Sequence, residues 1–409
     1  MSNHKEFAYL AYIGKTIPRR KAGHEYVERR ARPAGLRRYQ RFGENMDKEE
    51  IISFERLYES MLKCKCNVIW KPSVSSYYLN GIERNLQLSQ QLADGTYRPR
   101  APRLIKITYP KKRDGLSIAF RDRVYQRSLN DNEVYPMLTK SFIYDNCACQ
   151  RGKGTDFARK RLKRHLWKFY TRHGNSGYVL QIDIKGYYPN MRHDVVKKTF
   201  REHLPKETYE MSAKILDEQY VGDVGYNPGS QMVQIAGISV LDKLDHYIKE
   251  RLHAKYYLRY MDDFLIIYHD KNVLKAWLEI IKERLALIGF RVSEKKTTIK
   301  SIRTGFDFLG FTYRVTSTGK IIMIAKSERV KHERYMLRKM AKLVARGRMT
   351  VAKYEECYAS WRNHINKGNS FKLLVKMDKY KKEVLEYETR KNHDQRPRRA
   401  RTCKPRSRD

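Results

Sequence analysis

Three aspartates at the ends of apolar segments constrain the fold of this chain more than any other feature. Residues 177–184 have the apolar run of a buried strand, and Asp183 stands near its end. Residues 256–268 have the pattern of two strands around a tight turn that holds Asp262 and Asp263. Carboxylates among apolar neighbours cost free energy through desolvation and mutual repulsion. A divalent cation bound beside them would remove that cost, since Mg²⁺ prefers oxygen ligands.

Two interpretations of the Asp-Asp pair are open on this pattern alone. An acidic pair in a hairpin turn often serves only the turn itself. The order of elements favours a chemical role, because the strand with Asp183 is followed by a glycine-containing loop, a long helix and then the acidic hairpin. Such a trio can hold two Mg²⁺ ions about 4 Å apart, which activate a primer 3′-hydroxyl and stabilise a leaving pyrophosphate. This order is the frame that a two-metal nucleotidyl transferase needs.

Hydrophobic periodicity predicts an α+β fold. Helices are expected over residues 48–62, 76–93, 232–252, 274–285 and 327–386. Besides the three strands above, strands are expected over 104–109 and 116–120, with 111–115 as a hairpin tip, and near 291–324. Helices and β-hairpins in this mixed order are typical of the α+β class.

The charge of the chain indicates a polyanionic partner. Lys and Arg number 86 against 45 Asp and Glu, a net charge of +41 in 409 residues. Residues 1–41 and 390–409 hold eleven and nine of these cations, so most of the excess lies on the body of the chain. A hydrophobic fraction of 41% excludes general disorder. Nucleic acid is the first partner to expect, and a generic RNA-binding protein fits the composition as well.

Cysteine usage and hydropathy bear on the compartment. Six cysteines are too few for a disulfide scaffold and suggest a reducing interior. Four of them form the pairs Cys64/Cys66 and Cys147/Cys149, whose spacing is shorter than that of usual zinc sites, so small buried residues are expected there. No apolar run approaches the ~18 residues of a membrane span, so no membrane partner is expected.

Six motifs in order resemble those of reverse transcriptases, and together they span about residues 47–385. The segment Tyr260-Met-Asp-Asp263 resembles the catalytic box of that family, and Gln181–Asn190 resembles its first palm motif. The other four matching segments are Arg121–Gln126, Asn227–Gln234, Leu287–Thr297 and Phe306–Phe311. The resemblance implies a right-hand polymerase fold and an RNA-directed DNA polymerase.

The same resemblance implies a set of site residues. The catalytic residues would be Asp183, Asp262 and Asp263, and together with Ile184 they would bind two Mg²⁺ ions, with Mn²⁺ able to substitute. The side chain that packs under the sugar and excludes a 2′-hydroxyl would be Tyr188, for which a core tyrosine is the alternative.

Further positions are expected to contact the nucleotide and the nucleic acid. Phosphates would be held by Lys112, Arg113 and Arg123, for which a solvated basic face is the alternative. The templating pocket would be lined by Gly229 and Gln234. The leaving group would be approached by Lys296, and the primer would be held by Phe308–Gly310.

The resemblance also implies domains and partners. The expected domains are a basic N-terminal extension (1–46), fingers (47–175), palm (176–325), thumb (326–388) and a basic disordered tail (389–409). Expected partners are an RNA template, a DNA or RNA primer, dNTPs and a structured non-coding RNA, with an accessory protein or a second copy also considered. Template binding would be shape-based and salt-dependent.

Two segments narrow the branch of the family. Group II intron and retron enzymes typically carry Ser-Pro where this chain has Val233-Gln234. The glutamine resembles diversity-generating retroelement enzymes and the often defence-associated bacterial groups, and the arrangement of Arg113 with Arg121-Asp-Arg123 is closer to those groups as well. A thumb segment over 358–371 resembles that of the diversity-generating enzymes. The serine usual before that glutamine is missing, so retroelement and anti-phage roles both stay open. A bacterial cytoplasmic location is expected.

Two rival functions are weighed against this one. An RNA-templated RNA polymerase or an untemplated terminal transferase would use similar carboxylates, but a small residue at position 188 would favour ribonucleotides, and Tyr188 stands there. A non-catalytic RNA-binding scaffold would gain nothing from the three aspartates.

Overall fold

The central element of the fold is a four-stranded antiparallel sheet. The computed structural model of the chain describes residues 48–107, 113–227 and 229–394. Its four strands are β3 (Tyr178–Asp183), β4 (Tyr256–Tyr260), β5 (Asp263–Tyr268) and β6 (Thr298–Ser301). Their order in the sheet is β4-β5-β3-β6. The predicted strand positions around the three aspartates are confirmed.

The sheet is buried on both faces, which explains its near-continuous apolar strands. Along β3, Leu180 packs into a core that includes the helix α12 (Lys271–Leu287), whereas its neighbour Val179 packs into a second core with the helix α7 (Thr155–His173). Successive side chains of a strand point to opposite faces, so each core receives every second residue. Helices on both sides hold the strand ends that carry the aspartates.

Helices and one hairpin precede the sheet. They are α1 (Lys48–Ile51), α2 (Phe54–Lys65), α3 (Pro72–Leu79), α4 (Gly81–Ala93), β1 (Arg103–Ile107), β2 (Arg113–Ser117), α5 (Phe120–Leu129) and α6 (Tyr135–Thr139). A π-helical turn over Asn130–Val134 joins the last two helices.

The predicted single helix over 76–93 is wrong, because the chain breaks at Asn80 into α3 and α4. A Cβ atom at Gly81 would lie 2.9 Å from the Met61 sulfur, so a larger residue here would require the Met61 side chain of α2 to shift. The predicted hairpin tip is also displaced. Residues 113–115 lie within β2, where Gly115 pairs with Ile105.

The long helix predicted over 232–252 is divided. It consists of α10 (Gln231–Ser239), α11 (Asp242–His246) and a π-helical turn over Tyr247–Arg251. Between strand β3 and this region lie α8 (His193–His203) and α9 (Lys206–Gln219). The hydroxyl of Ser230 accepts from the Val233 N–H and caps α10.

A small sheet and a helical bundle follow the main sheet. The small sheet is antiparallel and comprises β7 (Phe306–Phe308), β8 (Phe311–Val315) and β9 (Ile321–Ala325). The bundle comprises α13 (Ser327–Ala345), α14 (Val351–Ile365) and α15 (Phe371–Asp394), as the periodicity predicted. Among the helices described, none combines the length and the apolar character needed to cross a bilayer.

Candidate active site

The three aspartates meet at one end of the main sheet. Asp183 is the last residue of β3 and pairs directly with Asp263, the first residue of β5. Asp262 lies in the turn that joins β4 to β5. We call Tyr260–Asp263 the acidic turn. The prediction that Asp263 lies in the turn is wrong, because this residue pairs with Asp183 on one side and with Tyr260 on the other.

The acidic turn has an unusual backbone conformation at Met261. This residue has φ of +57°, in the left-handed region that non-glycine residues rarely adopt. A left-handed residue permits the tight connection between β4 and β5, so Met261 and Asp262 are enough to join the two strands. The apolar pattern of the strands predicted the turn, but not the residue that takes this conformation.

Electrostatics at the turn favour the binding of a cation. Burial, and then the carboxylates of Asp262 and Asp183, raise the pKa of Asp263 to about 7. Burial above all also raises the pKa of Asp262, and the charge of Asp183 adds to the shift. Three carboxylates in this arrangement therefore resist full ionisation until positive charge is brought to them.

Lys296 supplies one positive charge. Its Nζ lies 2.9 Å from both carboxylate oxygens of Asp183. This hydrogen bond raises the pKa of the Lys296 ammonium. The sequence predicted Lys296 near the leaving group, a role that stays a prediction, and the structure places it on Asp183.

The donor set fits a hard divalent cation in its chemistry. Oxygen ligands from neighbouring carboxylates are what Mg²⁺ binds. As the side chains lie, no group of three or more His, Cys, Asp or Glu in the described part of the chain could hold a metal ion. In this arrangement both carboxylate oxygens of Asp183 accept from Lys296.

Ile184 can contribute to such a site only through its backbone. Its side chain is apolar and buried, and it forms an antiparallel bridge with Val292. The hydrogen bonds of this bridge run through its neighbours: Ser293 N–H donates to the Asp183 carbonyl and Lys185 N–H to the Arg291 carbonyl. The Ile184 carbonyl is thus the one chemical group of this residue that suits the predicted metal role.

Tyr188 lies beside the acidic turn, and its side chain is half-buried. Its ring contacts Tyr187 edge-on at 5.5 Å between centroids. Burial, with Cys149 and Asp262 nearby, raises the pKa of the Tyr188 hydroxyl. A Cβ atom at Gly237 would lie 3.1 Å from that hydroxyl oxygen, so the glycine makes room for the ring. The position of Gly237 in a helix gave no sign of this role.

The predicted templating residues lie where α10 begins. A Cβ atom at Gly229 would lie 2.5 Å from the Leu116 carbonyl oxygen, so the close approach that requires glycine here is to strand β2. Gln234 is exposed on α10, whereas its neighbours Val233 and Ile235 are buried. Their contact with a template stays a prediction.

A basic cavity lies between α3, α4 and the end of β2. Its volume is about 630 Å³, and we call it the fingers cavity because it lies within residues 47–175, whose assignment as fingers stays a prediction. Six cations line it: Lys71, Arg84, Arg100, Arg103, Arg121 and Arg123. Among the described residues that line it, none is Asp or Glu. The nearby carboxylate of Asp122 is fully buried and accepts from the Tyr97 hydroxyl and the Arg100 N–H, both at 2.9 Å.

The predicted phosphate-binding residues differ in their position relative to this cavity. Arg123 lines it, as the prediction requires, and Arg121 is held there by the Gln91 side chain and the Arg98 carbonyl. The backbone of Arg113 belongs to β2, where it pairs with Ile107. Lys112 lies outside the described residues, as do the N-terminal extension and the tail beyond residue 394.

The segment predicted to hold a primer forms the turn between β7 and β8. Leu309 and Gly310 both have positive φ, and the Leu309 carbonyl accepts from Arg159 at 3.1 Å. A Cβ atom at Gly310 would lie 2.5 Å from the guanidinium of Arg329 on α13. This turn therefore touches the helical bundle, and its contact with a primer stays a prediction.

Comparisons with known proteins agree with this geometry. Residues 111–313 match the family model "Reverse transcriptase (RNA-dependent DNA polymerase)", a span that includes all three aspartates. A comparison with curated proteins found no match.

Two solved structures are similar. One is telomerase from Candida albicans in complex with a TWJ fragment of telomeric RNA, with 15% identity, a TM-score of 0.45, and coverage of 71% of this chain and 56% of that chain. The other is apo telomerase from Candida tropicalis truncated from its C-terminal domain, with 13% identity, a TM-score of 0.39, and coverage of 59% and 60%. The chain thus spans less than two thirds of the length of either. The family match covers residues 111–313, just under half of the chain, so this segment is similar to a reverse transcriptase domain, and that similarity implies the right-hand polymerase fold.

Proposed function

We propose that this protein is an RNA-directed DNA polymerase that adds dNTPs to a primer 3′-hydroxyl with two divalent cations. One observation carries the proposal: Asp183 and Asp263 are register partners on adjacent strands, with Asp262 in the adjoining turn, inside a reverse transcriptase domain. Apart from this chemistry, such a cluster has no use that would offset its desolvation.

The residues of the site take distinct roles in this proposal. When bound, Mg²⁺ would lower the pKa of the attacking hydroxyl and neutralise charge on the phosphates. Asp183, Asp262 and Asp263 would hold it, together with the Ile184 carbonyl. Lys296 would release Asp183 and turn to the phosphates, where its three donors suit a leaving pyrophosphate.

The surroundings would select and hold the substrates. The ring of Tyr188, backed by Gly237, would occupy the space that a ribose 2′-hydroxyl needs. The cations of the fingers cavity, including Arg123, would hold phosphates of the template or the nucleotide. Gly229, Gln234 and Phe308–Gly310 would contact the template and the primer.

The wider context is also proposed. Gln234 without Ser-Pro supports a diversity-generating retroelement or an anti-phage defence system in the bacterial cytoplasm. The five cysteines in the described part of the chain are free, which suits a reducing compartment. The net charge of +41 supports a structured non-coding RNA as partner. An accessory protein or a second copy would enter as further partners.

Primer extension tests the proposal. An RNA template with an annealed DNA primer is incubated with Mg²⁺ and either dNTPs or rNTPs, using the unchanged protein, Asp262→Asn and the control Asp217→Asn. Asp217 is exposed and pairs with Lys197 at the surface, so its variant controls for the loss of one negative charge.

We expect template-length DNA from the unchanged and control proteins and none from Asp262→Asn, with RNA binding equal in all three. Products from rNTPs would favour an RNA polymerase. Products without a template would favour a terminal transferase. RNA binding without synthesis under any nucleotide would favour a scaffold.

A further inference from the structure

Arg259 is buried directly behind the acidic turn. It lies on β4 next to Tyr260, and its side chain and that of Asp245 are both 0% exposed. The guanidinium forms a two-point contact with this carboxylate, from Nε to Oδ1 at 2.7 Å and from Nη2 to Oδ2 at 2.5 Å. The Tyr257 hydroxyl donates to the same Oδ1 at 2.5 Å. Asp245 is therefore fixed by three donors.

The same guanidinium reaches two backbone carbonyls. Nη1 donates to the Met261 carbonyl oxygen at 2.9 Å, and Nη2 donates to the Ile238 carbonyl at 2.9 Å. Met261 is the residue with left-handed φ, directly before Asp262. One side chain thus joins α10, α11 and the acidic turn.

The backbone of Arg259 is fixed as well. Its N–H donates to the Asp145 carbonyl at 3.0 Å, and its carbonyl accepts from the Cys147 N–H at 2.9 Å. Hydrogen bonds therefore fix both the backbone and the side chain of Arg259. The Met261 carbonyl accepts from a guanidinium whose position is fixed.

A buried ion pair of this kind is weak support for stability alone, because apolar residues of similar volume often stabilise as well. The feature that apolar residues could not reproduce is the planar fork, which donates to a carboxylate and two carbonyls at once. Lysine keeps the charge but has no such fork.

We propose that Arg259 is a positioning residue that fixes the Met261 peptide and thereby aims the carboxylates of Asp262 and Asp263. The inference rests on the proposed function, since it concerns how the same site binds its cation. Asp245 and Tyr257 hold Arg259 in the orientation that this task requires.

The test uses Arg259→Lys in the full chain, with Mn²⁺ as the probe. Free Mn²⁺ is followed by electron paramagnetic resonance without nucleotide, and kcat and KM for dNTP are measured separately. The matched control is Arg161→Lys, because the hydrogen bonds described for the Arg161 guanidinium all go to the buried Asp145 carboxylate and not to the acidic turn.

We expect the Kd for Mn²⁺ to rise at least fivefold and kcat to fall at least tenfold in Arg259→Lys, with KM for dNTP within twofold and the control unchanged. Wild-type Mn²⁺ affinity and kcat in folded Arg259→Lys would overturn the proposal. If this variant does not fold, Tyr257→Phe removes one donor to Asp245 and keeps both charges. A smaller rise in the Mn²⁺ Kd is then expected, and no rise would overturn the proposal. Failure of the unchanged protein to bind Mn²⁺ or make DNA would instead contradict the proposed function.

Discussion

The acidic turn and the fingers cavity carry opposite charge imbalances. At the turn, burial and the neighbouring carboxylates of Asp262 and Asp183 raise the pKa of Asp263 to about 7, although Lys296 contacts Asp183. In the cavity, six cations surround about 630 Å³ with no acidic residue among the described lining residues. An open cluster of one sign attracts ions of the other sign. In the proposed function, the acidic turn would bind divalent cations and the fingers cavity would bind phosphates.

A third region shows what balanced charge looks like in this molecule. Asp145 is buried, but hydrogen bonds from His165 and Arg161 outweigh the effect of burial and lower its pKa. Lys249 also lies 2.7 Å from it. Charges that are compensated inside the protein serve structure, whereas the imbalance at the turn and the cavity indicates partners from outside.

The largest expected effect is at the turn. Replacing Asp183 by Asn removes one of the three carboxylates proposed to bind the metal. We expect DNA synthesis to fall about a thousandfold, because metal stabilisation of the transition state is worth several kcal/mol. Single-turnover primer extension measures this rate. A loss of less than tenfold would show that the turn does not need its three carboxylates.

The next effect tests the cavity. The double variant Arg100→Glu/Arg103→Glu reverses two of its exposed cations, and we expect template–primer affinity to fall at least tenfold at low salt. The slope of log affinity against log salt is expected to decrease by about 2, because roughly one counterion is released per phosphate contact.

The matched control for the cavity is Lys198→Glu/Lys275→Glu, which makes the same charge change at exposed positions on α8 and α12. Filter binding at several salt concentrations measures all three proteins. Equal losses in the two double variants would mean that total charge, and not the cavity, governs binding.

A more moderate effect is expected at Tyr188. Tyr188→Ala opens the space beside Gly237, so we expect the preference for dNTP over rNTP to fall about tenfold, whereas Tyr188→Phe keeps the ring and the preference. A tenfold fall in this preference corresponds to about 1.4 kcal/mol. Competitive incorporation of one dNTP against its rNTP measures the ratio, and an unchanged ratio in the alanine variant would remove Tyr188 from sugar selection.

The smallest effect concerns an acidic side chain in the helical bundle. Burial raises the pKa of Glu333 from 4.5 to about 7. Between these values the folded state holds more protons than the unfolded state, so stability falls as pH rises through this window. At pH 8 we expect Glu333→Gln to be more stable by about 1 kcal/mol, allowing for solvent screening, and at pH 4.5 to match the unchanged protein.

Hydrogen exchange in helix Ser327–Ala345 measures this difference, with both proteins compared at the same pH. An equal gain in protection at pH 4.5 and pH 8 would show that titration of Glu333 is not the cause.

The sequence predicted the regions whose signals are local. The strand before Asp183 and the two strands around Asp262 were predictable because they are buried on both faces and therefore apolar. The break at Asn80 was not, because it rests on the non-helical backbone of that one residue (φ −103°, ψ 27°), and the hydrophobic period continues across it.

The charged sites also differ in how far local sequence signals predict them. The motifs identified the aspartates, but the placement of Asp263 in a strand follows from register with β3, which no local pattern records. The fingers cavity combines residues from 71–103 with residues from 117–123. The contact between Arg259 and Met261 depends on a rotamer set by Asp245, fourteen positions earlier in the chain.

Metal rescue tests the central claim most directly. Asp262→Cys replaces one proposed oxygen ligand by sulfur, which binds Mg²⁺ poorly and softer divalent ions well. We expect no DNA synthesis by this variant with Mg²⁺ and measurable synthesis when Mn²⁺ or Cd²⁺ is supplied. Full synthesis with Mg²⁺ would contradict the account, because the carboxylate of Asp262 would then hold no catalytic metal.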